Sequence, residues 1–262
     1  MNFHFCKYHG AGNDFILLDN RPGIYNHLKN KDSVAALCHR RFGIGADGLM
    51  MIENSDGYDF KMVYYNADGN EGSMCGNGGR CIVAFAHRLG IIEYKTKFIA
   101  SDGEHEAELM GSEYVNLKMQ DVHQVDMYND HVVLNTGSPH YILPISHIDT
   151  YPVYEKGKHI RYSEEFPKGI NVNFIEKSNS EWKIRTYERG VEDETWACGT
   201  GATAAALAIV EMNKSYDLNE IKLIAKGGPL TIRFERKAPG HFENIWLCGG
   251  AVFVYEGEFT IE

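Results

Sequence analysis

The sequence predicts an α+β fold of two pseudo-symmetric domains, each an antiparallel β-sheet wrapped around a central helix. The first observation is a repeated phrase: residues 75–78 read Cys-Gly-Asn-Gly and residues 198–201 read Cys-Gly-Thr-Gly. Each phrase runs into a segment of small and apolar residues that is typical of a buried helix. A period of about half the chain is too long for a solenoid, whose repeats span roughly 20 to 50 residues, and it therefore indicates two domains.

Strand-like alternation is the second observation. Apolar residues stand at every second position, or in short aromatic and β-branched runs, over residues 58–65, 114–119, 182–187, 230–235 and 251–255. Such patterns are typical of half-buried strands. We therefore expect sheet over most of the chain.

Three segments are predicted to be helical: residues 33–41, 79–89 and 202–212. Residues 202–210 are small or apolar on every side, which predicts a helix surrounded by sheet. Residues 151–168 are polar without clear periodicity and are predicted as surface structure. The first domain is expected to end near residue 120, because residues 121–130 are polar and turn-prone.

Bulk properties exclude several classes of protein. The formal net charge is -10, with acidic and basic residues interspersed, which argues against a nucleic-acid partner. No apolar run approaches the roughly 18 residues of a membrane span, and the N-terminus lacks a basic region followed by an apolar stretch. We therefore expect a cytoplasmic protein with no membrane partner.

The six cysteines are too sparse and scattered for a secreted disulfide framework, so most are expected to be thiols. No Cys-x-x-Cys pair and no His-Glu-x-x-His motif is present, and no metal site is predicted. Four of the six cysteines are expected to be small buried side chains: Cys6, Cys38, Cys81 and Cys248.

Cys75 and Cys198 differ from the other cysteines because glycines follow each of them where a helix is predicted to start. The first N–H groups of a helix lack intrahelical partners and the helix dipole places about half a positive charge there, which favours a thiolate. The same N–H groups, approached closely through the glycines, can hold a carboxylate. Two such cysteines predict a two-base site that removes a proton from one face of a carbon and returns it on the other.

Other polar residues near the repeat have two interpretations. Asn13, Asn66 and Asn171 are either substrate-binding residues or turn residues beside glycine. Arg189 either recognises a carboxylate or forms a surface ion pair, and His140 is either a site residue or a hydrogen-bonded strand histidine. The residue pattern alone leaves both interpretations open.

Six motifs stand in order along the chain: HGxGNDF at 9–15, GIGADG at 43–48, NADGxE at 66–71, CGNG at 75–78, YERG at 187–190 and ACGTG at 197–201. Together they resemble the diaminopimelate epimerase family, over essentially the whole chain. The resemblance implies a fold of the diaminopimelate epimerase type, with residues 1–120 and 251–262 in the first domain and residues 121–250 in the second. It also implies an isomerase without pyridoxal phosphate or another cofactor, which interconverts LL- and meso-2,6-diaminopimelate on the route to lysine and peptidoglycan.

The resemblance further implies roles for single residues. Cys75 would donate the new proton in the LL to meso direction and Cys198 would accept the old one, with the roles exchanged in reverse. The reacting centre of the substrate would lie on the two helix starts, at Gly76, Asn77, Gly199 and Thr200. The remaining polar groups of the substrate would bind to five side chains: Asn13, Asn66, Asn171, Glu188 and Arg189. The implied partner is a small molecule, with a homodimer as a candidate assembly.

Two positions depart from the family pattern. Gly48 stands where many members have Gln, and Ser138 stands where they have Asn. Gly48 cannot supply a side-chain contact. Ser138 keeps a hydroxyl group that can form a hydrogen bond, so we include it with His140 as a further candidate.

Three other functions stay open at this stage. A proline or hydroxyproline racemase-type enzyme would use the same two thiols on a cyclic substrate, although residues 187–189 and Asn13 favour the longer substrate. A thiol redox protein would use Cys75 and Cys198 as a reversible disulfide pair, but they lack Cys-x-x-Cys spacing. A non-catalytic binding protein would have no need of both cysteines.

Overall fold

The structure is a computed structural model that describes residues 2–72, 74–179 and 181–260. Residues 1, 261 and 262, which the prediction assigns to the first domain, lie outside the described residues. The chain divides into two compact units. The first extends to Leu117 and takes up the chain again at Gly250, and the second is Lys118–Gly249.

The elements are, in chain order, β1 (Asn2–Gly10), β2 (Asn13–Asp19), α1 (Lys31–Cys38), β3 (Gly48–Glu53), β4 (Phe60–Asn66), α2 (Gly76–Arg88), β5 (Lys95–Ala100), β6 (Gly103–Leu109), β7 (Tyr114–Lys118), β8 (Val125–Met127), β9 (Val132–Asn135), β10 (Pro139–Pro144), α3 (Val153–Arg161), β11 (Asn171–Ser178), β12 (Glu181–Glu188), β13 (Asp193–Thr195), α4 (Gly199–Asn213), β14 (Glu220–Ala225), β15 (Gly228–Ala238), β16 (His241–Gly250) and β17 (Val252–Thr260). Two short 3-10 helices lie at Asn26–Leu28 and Ile148–Thr150. The α+β class predicted from the sequence is confirmed.

In the first unit the strands pair in the order β17-β1-β2-β3-β4-β5-β6-β7. The β2–β3 and β4–β5 pairs are parallel and the others are antiparallel. Parallel neighbours need a crossover of a dozen or more residues. Helix α1 lies in the first crossover and α2 in the second.

In the second unit the strands pair in the order β8-β9-β10-β11-β12-β14-β15-β16, with β13 added beside β12. The parallel pairs are β10–β11 and β12–β14, and their crossovers contain α3 and α4. Parallel and antiparallel pairs therefore follow one another in the same order as in the first unit. The expected sheets are present twice, but they are mixed rather than purely antiparallel, because alternation of side chains does not reveal the direction of a neighbouring strand.

Helices α2 and α4 are the central helices of their units. Helix α2 contacts strands β1, β2, β3 and β6, and α4 contacts β9, β10, β11, β12, β14 and β15. Every residue of α2 from Gly76 to Ala86 is buried, as is every residue of α4 from Gly201 to Val210. Burial on all sides explains why the sequence of α4 shows no polar face.

The helix bounds differ from those predicted. Helices α2 and α4 each begin three residues before the expected start, so the glycines of the repeated phrases form the first helical turn. Helix α1 begins at Lys31 because the side chain of Asn30 accepts a hydrogen bond from the N–H of Ser33 at 2.9 Å. It ends at Cys38, three residues before the predicted end.

Helix α3 was not among the three predicted helices, and it lies within residues 151–168, which were predicted as surface structure. Only Val153 and Gly157 of α3 are buried, so no apolar stripe marks the helix. Gly157 reads as a helix breaker, but a Cβ there would lie 2.3 Å from the Cβ of Tyr187. The glycine therefore permits close packing of α3 on β12.

The described residues also bear on membrane and metal binding. Within them no helix is long and apolar enough to cross a membrane, and no group of three or more His, Cys, Asp or Glu side chains is placed to hold a metal ion. Cys6, Cys38, Cys81 and Cys248 are buried, as predicted. Burial raises the pKa of Cys6 to about 11 and that of Cys38 to about 12, so these thiols stay protonated.

Candidate functional site

Cys75 caps the start of α2. Its backbone is extended (φ -107°, ψ 149°) and its sulfur accepts a hydrogen bond from the N–H of Gly78 at 3.2 Å. That N–H is one of the four at a helix start that have no intrahelical partner. Oxygen atoms of Ser, Thr, Asp or Asn usually fill this place. The sulfur of Cys75 thus lies where the helix favours negative charge.

Cys198 caps α4 in the same manner. Its backbone is extended (φ -114°, ψ 116°) and its sulfur accepts a hydrogen bond from the N–H of Gly201 at 3.4 Å. Cys198 is buried, at 8% exposure, whereas Cys75 is partly exposed. Each unit therefore presents one cysteine in the same local geometry but in different surroundings.

The third residue of each helix must be small because the chain folds closely around the sulfur. A Cβ on Gly78 would lie 3.1 Å from the sulfur of Cys75. A Cβ on Gly201 would lie 3.3 Å from the sulfur of Cys198 and 2.4 Å from Oδ1 of Asn173. Glycine leaves the room that the sulfur and the amide occupy.

Arg80 holds the first turn of α2. Its side chain is fully buried and donates to the carbonyl of Gly76 at 3.0 Å, to Oδ1 of Asn77 at 2.9 Å and to the carbonyl of Gly250 at 3.3 Å. A Cβ on Gly10 would lie 2.9 Å from the carbonyl oxygen of Asn77, so β1 also approaches this turn closely. Arg80 was not among the predicted site residues, because an arginine within a helix gives no periodic signal of burial.

Asn13 is linked to the start of α2 and is anchored from behind. Nδ2 of Asn77 donates to Oδ1 of Asn13 at 3.4 Å, and Nδ2 of Asn13 donates to Oδ2 of Asp47 at 2.7 Å. Asp47 also accepts from the guanidinium of Arg40 at 2.6 Å. The structure thus brings Asn13, Asn77 and Cys75 together in the first unit.

A partly exposed ion network supports this anchor. Asp14 accepts from Nη2 of Arg40 at 2.6 Å and pairs with Nζ of Lys7 at 2.8 Å. Burial opposes the charge on Asp14, but the hydrogen bonds from Arg40 and Lys7 outweigh it and lower the pKa of Asp14 to about 2. Asp14 is therefore charged at neutral pH and fixes the end of β2 that carries Asn13.

The departure at Gly48 has a counterpart in Tyr64. Gly48 of β3 lies opposite Asn66 of β4, and a Cβ on Gly48 would lie 2.6 Å from Cε2 of the Tyr64 ring. A Cβ on Gly72 would lie 2.6 Å from the same ring. The ring of Tyr64 therefore fills the space into which a side chain at position 48 would project. Asn66 is exposed at the end of β4, next to this ring.

Glu188, at the end of β12, is hydrogen-bonded through its side chain to Cys198. Burial raises the pKa of Glu188, against this hydrogen bond, which favours the charged carboxylate. A carboxylate accepts from a thiol S–H. The resemblance assigned Glu188 to substrate binding, and the structure places it against the sulfur.

Several sequence-predicted residues are linked to Cys198 through Thr200. Oγ1 of Thr200 lies 3.4 Å from the sulfur of Cys198 and 3.3 Å from Oγ of Ser138. Oγ of Ser138 lies 3.0 Å from Nε2 of His140 and accepts from Nδ2 of Asn171 at 3.1 Å. These contacts form a continuous polar chain within the second unit.

His140 is fully buried, and its Nδ1 lies 3.1 Å from Nδ2 of Asn173. Burial, and secondly the charge of Arg189, lower the pKa of His140 to about 3, so the ring is neutral. Asn173 was not among the predicted site residues. Its position two residues after Asn171 on β11 places both on one face of the strand, and this spacing was a signal that could have found it.

Arg189 directly follows β12. Its main-chain N–H donates to Oδ1 of Asn171 at 2.9 Å, and its guanidinium lies 3.5 Å from the carbonyl of Gly169. The side chain is partly exposed, so a bound anion can reach it. A guanidinium can pair with a carboxylate through two parallel hydrogen bonds.

Comparison with known proteins extends over both units. The chain matches the family model described as diaminopimelate epimerase over residues 5–124 and 132–254. It is 48% identical over 252 residues to the diaminopimelate epimerase of Flavobacterium psychrophilum, covering 95% of this chain and 97% of that protein. It is 45% identical over 263 residues to the diaminopimelate epimerase of Chlorobaculum tepidum, covering 96% of this chain and 99% of that protein.

Solved structures with a similar fold are more distant in sequence. A phenazine biosynthesis protein of the PhzF family from Bacillus anthracis matches with a TM-score of 0.78 at 16% identity, covering 100% of both chains. A hydroxyproline epimerase from Agrobacterium vitis, solved with bound trans-4-hydroxy-L-proline, matches with a TM-score of 0.69 at 13% identity, covering 98% of this chain and 92% of that chain. At these identities the likeness concerns the fold alone.

Proposed function

Because the chain belongs to the diaminopimelate epimerase family, we propose that it interconverts LL- and meso-2,6-diaminopimelate by proton transfer between two cysteines. The observation that carries the two-cysteine proposal is the repeated cap: in each unit a cysteine sulfur accepts the N–H three residues further on, at the start of a buried helix. Such a position favours a thiolate, which is the form that acts as a base.

In the LL to meso direction, Cys198 as thiolate removes the proton from the α-carbon and Cys75 as thiol delivers a proton to the opposite face. One proton leaves the carbon and one arrives, so the substrate keeps its composition and only its configuration changes. In the meso to LL direction the two residues exchange roles. Glu188 accepts a hydrogen bond from the S–H group of Cys198 when the sulfur carries a proton, which is the form of Cys198 that acts as the acid in the meso to LL direction.

The carbanion between the two transfers needs stabilisation, which the helix starts supply. The α-carboxylate binds at the first turns of α2 and α4, because the N–H groups of Gly76, Asn77, Gly199 and Thr200 can donate to it as negative charge develops on the neighbouring carbon. Arg80 supports this arrangement by fixing the carbonyl of Gly76 and the side chain of Asn77. The neutralising groups are part of the protein, so no cofactor enters this mechanism.

The distal end of the substrate carries a second carboxylate and a second amino group. Arg189 binds that carboxylate, and Asn13, Asn66 and Asn171 bind the remaining polar groups. Arg189 is supported in this role by Asn171, which accepts its main-chain N–H. A racemase acting on proline or hydroxyproline would have no distal carboxylate for Arg189.

Turnover in deuterated water tests the proposal. Reduced protein is incubated with LL-diaminopimelate, and the meso isomer is analysed by mass spectrometry at low conversion. We expect early product to carry deuterium at one α-carbon, because the donating thiol exchanges with solvent, and the remaining LL substrate to be nearly free of label. Transfer of the substrate's own hydrogen into most of the product would refute the two-thiol mechanism.

Two controls accompany this assay. Cys81→Ala changes a buried cysteine of α2 outside the repeated phrase and should leave turnover intact. In the second control, the parent protein is incubated with trans-4-hydroxy-L-proline instead of diaminopimelate. Epimerisation of hydroxyproline without epimerisation of diaminopimelate would replace the proposal with the racemase alternative.

We further propose that the protein acts in the cytoplasm, in keeping with a small, polar substrate. We also propose that it forms a homodimer. Light scattering coupled to size-exclusion chromatography measures the mass of the assembly. A mass equal to one chain would reject the homodimer without affecting the proposed reaction.

A further inference from the structure

A series of hydrogen bonds between side chains ends at the sulfur of Cys198. The surrounding groups determine which atom is the donor in each of them. Nδ2 of Asn173 faces the main-chain carbonyl of Tyr141 at 3.2 Å, and this carbonyl can only accept. Oδ1 of Asn173 accepts from the hydroxyl of Thr186 at 2.9 Å. With the amide oriented in this way, its second N–H points to Nδ1 of His140 at 3.1 Å.

His140 therefore accepts at Nδ1 and carries its proton on Nε2. Nε2 lies 3.0 Å from Oγ of Ser138 and donates to it. Burial, followed by the charge of Arg189, lowers the pKa of His140 to about 3 and keeps the ring in this single-proton form. The ring is thus a fixed donor to Ser138.

Ser138 receives two donors, which leaves one direction for its own proton. Nδ2 of Asn171 also donates to Oγ of Ser138, at 3.1 Å, and the orientation of that amide is set by the N–H of Arg189, which donates to its oxygen. A hydroxyl has two acceptor positions and one proton. Both acceptor positions of Ser138 are occupied, so its proton is directed to Oγ1 of Thr200 at 3.3 Å.

The hydroxyl of Thr200 connects Ser138 to the sulfur of Cys198. Its Oγ1 accepts from Ser138 and lies 3.4 Å from the sulfur of Cys198, so its own proton is directed at the sulfur. The N–H of Gly201 donates to the same sulfur. We propose that Ser138 and Thr200 form a one-way hydroxyl relay that aims a hydrogen-bond donor at the sulfur of Cys198 and stabilises its thiolate. A donor that bonds to the charged form of a group favours that form.

The catalytic meaning of the relay rests on the proposed function, in which the thiolate of Cys198 is the base for the LL substrate. The relay raises the fraction of Cys198 that is present as thiolate before substrate binds. Ser138 and His140 are then positioning residues, because they act on the sulfur through Thr200. This role differs from direct contact with the substrate, which the resemblance implied.

Titration of Cys198 without substrate tests the relay. Ultraviolet absorbance of the thiolate is followed against pH in protein carrying Cys75→Ser, which removes coupling to the second thiol. The same titration of Cys75→Ser/Cys198→Ser is subtracted as the blank. We expect Ser138→Ala to raise the pKa of Cys198 by about one unit, the order expected for a hydrogen bond to a charged group. Thr200→Val should raise it by at least as much.

A double variant separates a relay from two independent effects. In protein that carries Thr200→Val, the addition of Ser138→Ala should cause no further shift, because Ser138 acts only through the hydroxyl already removed. Ser138→Thr keeps the hydroxyl and should restore the parental pKa. Thr203→Val is the matched control: it removes a buried hydroxyl of the same helix, one that donates to the carbonyl of Gly199 at 3.0 Å, and it should leave the pKa unchanged.

An unchanged pKa in Ser138→Ala, or additive shifts in the double variant, would overturn the relay even if the parent protein epimerises diaminopimelate. Failure of the parent protein to epimerise diaminopimelate would overturn the proposed function and leave the pKa shift as a property of the second unit. If Ser138→Ala does not fold, Ser138→Gly removes the same hydroxyl and carries the same expectation.

Discussion

Glycine is the third residue of both central helices, and alanine should destabilise the protein at one of these positions and leave its stability nearly unchanged at the other. A Cβ on Gly201 would lie 2.4 Å from Oδ1 of Asn173, a side chain that three hydrogen bonds hold in place. A Cβ on Gly78 would lie 3.1 Å from the sulfur of Cys75 and 3.2 Å from that of Met50, whose side chain is flexible. The rigid neighbour cannot move without loss of its hydrogen bonds, whereas the flexible one can.

The size of the difference follows from these contacts. Alanine is favoured over glycine within a helix by about 1 kcal/mol. At Gly201 overpacking costs about 1 to 3 kcal/mol and the broken hydrogen bonds of Asn173 cost about 1 to 3 kcal/mol more, which leaves a net loss of about 1 to 5 kcal/mol. At Gly78 the small steric cost and the gain in helix propensity are of similar size, so the net change should stay within about 1 kcal/mol.

Urea unfolding followed by circular dichroism measures the stability of Gly201→Ala and Gly78→Ala against the parent protein. Epimerase activity is measured in parallel and should fall in both variants, because each new methyl group lies within 3.3 Å of a cysteine sulfur. The loss of activity should thus reflect the methyl group beside the cysteine sulfur in both variants. The loss of stability should reflect the contact with Asn173, which is made only in Gly201→Ala. Equal unfolding midpoints for the two variants would refute this reasoning, as would greater loss in Gly78→Ala.

Three further predictions concern the thiols, the arginine and the ion network. Cys75→Ser and Cys198→Ser should each reduce epimerisation by at least about 10² to 10⁴-fold with an unchanged circular dichroism spectrum, because an alcohol is a far weaker base than a thiolate; near-normal turnover by either variant would remove the two-thiol mechanism. Arg189→Lys should lower kcat/KM by the equivalent of about 1.5 to 3 kcal/mol, because a lysine cannot form the paired hydrogen bonds to a carboxylate, and kinetics equal to the parent's would assign Arg189 to the surface. The pKa of Asp14 is about 2, below its ordinary value of 3.8, so its charge should contribute about 2 kcal/mol of stability above pH 4 that is lost as the pH falls towards 2. Urea unfolding of Asp14→Asn and parent protein between pH 2 and 6 checks this, and a stability difference independent of pH would contradict it.

Sequence predicted the features that have a periodic or repeated signal. The repeat of residues 75–78 in residues 198–201 predicted two units with central helices, and the same order of strand pairs is present in both. Parallel pairing of β2 with β3 was not predictable from alternation, because a strand shows the same pattern beside a parallel or an antiparallel neighbour. Helix α3 was missed because it buries two residues only.

Within the site, sequence identified the cysteines but not what supports them. Arg80 and Asn173 are buried polar residues whose roles depend on partners distant in the chain, such as Gly250 for Arg80. The hydrogen bonds of Arg80 leave no pattern in the surrounding residues, whereas the position of Asn173 two residues after Asn171 is a signal that the sequence does carry. The absence of a side chain at Gly48 is likewise explained only by the ring of Tyr64, which is sixteen residues away in the sequence and 2.6 Å away in space from a Cβ at that position.

Opposing contributions around Cys198 explain how one residue can serve in both directions of a reversible epimerisation. The donors on Thr200 and Gly201 favour the thiolate, whereas the neighbouring carboxylate of Glu188, when charged, disfavours a second negative charge. A strongly stabilised thiolate would accept a proton poorly, and a strongly stabilised thiol would release one poorly. General acid–base catalysis is most effective when the pKa of the group lies near the working pH. The donors and the carboxylate therefore have to balance, and removing either side, by Ser138→Ala or by Glu188→Gln, should lower kcat/KM in both directions, because the equilibrium between the two isomers does not depend on the enzyme.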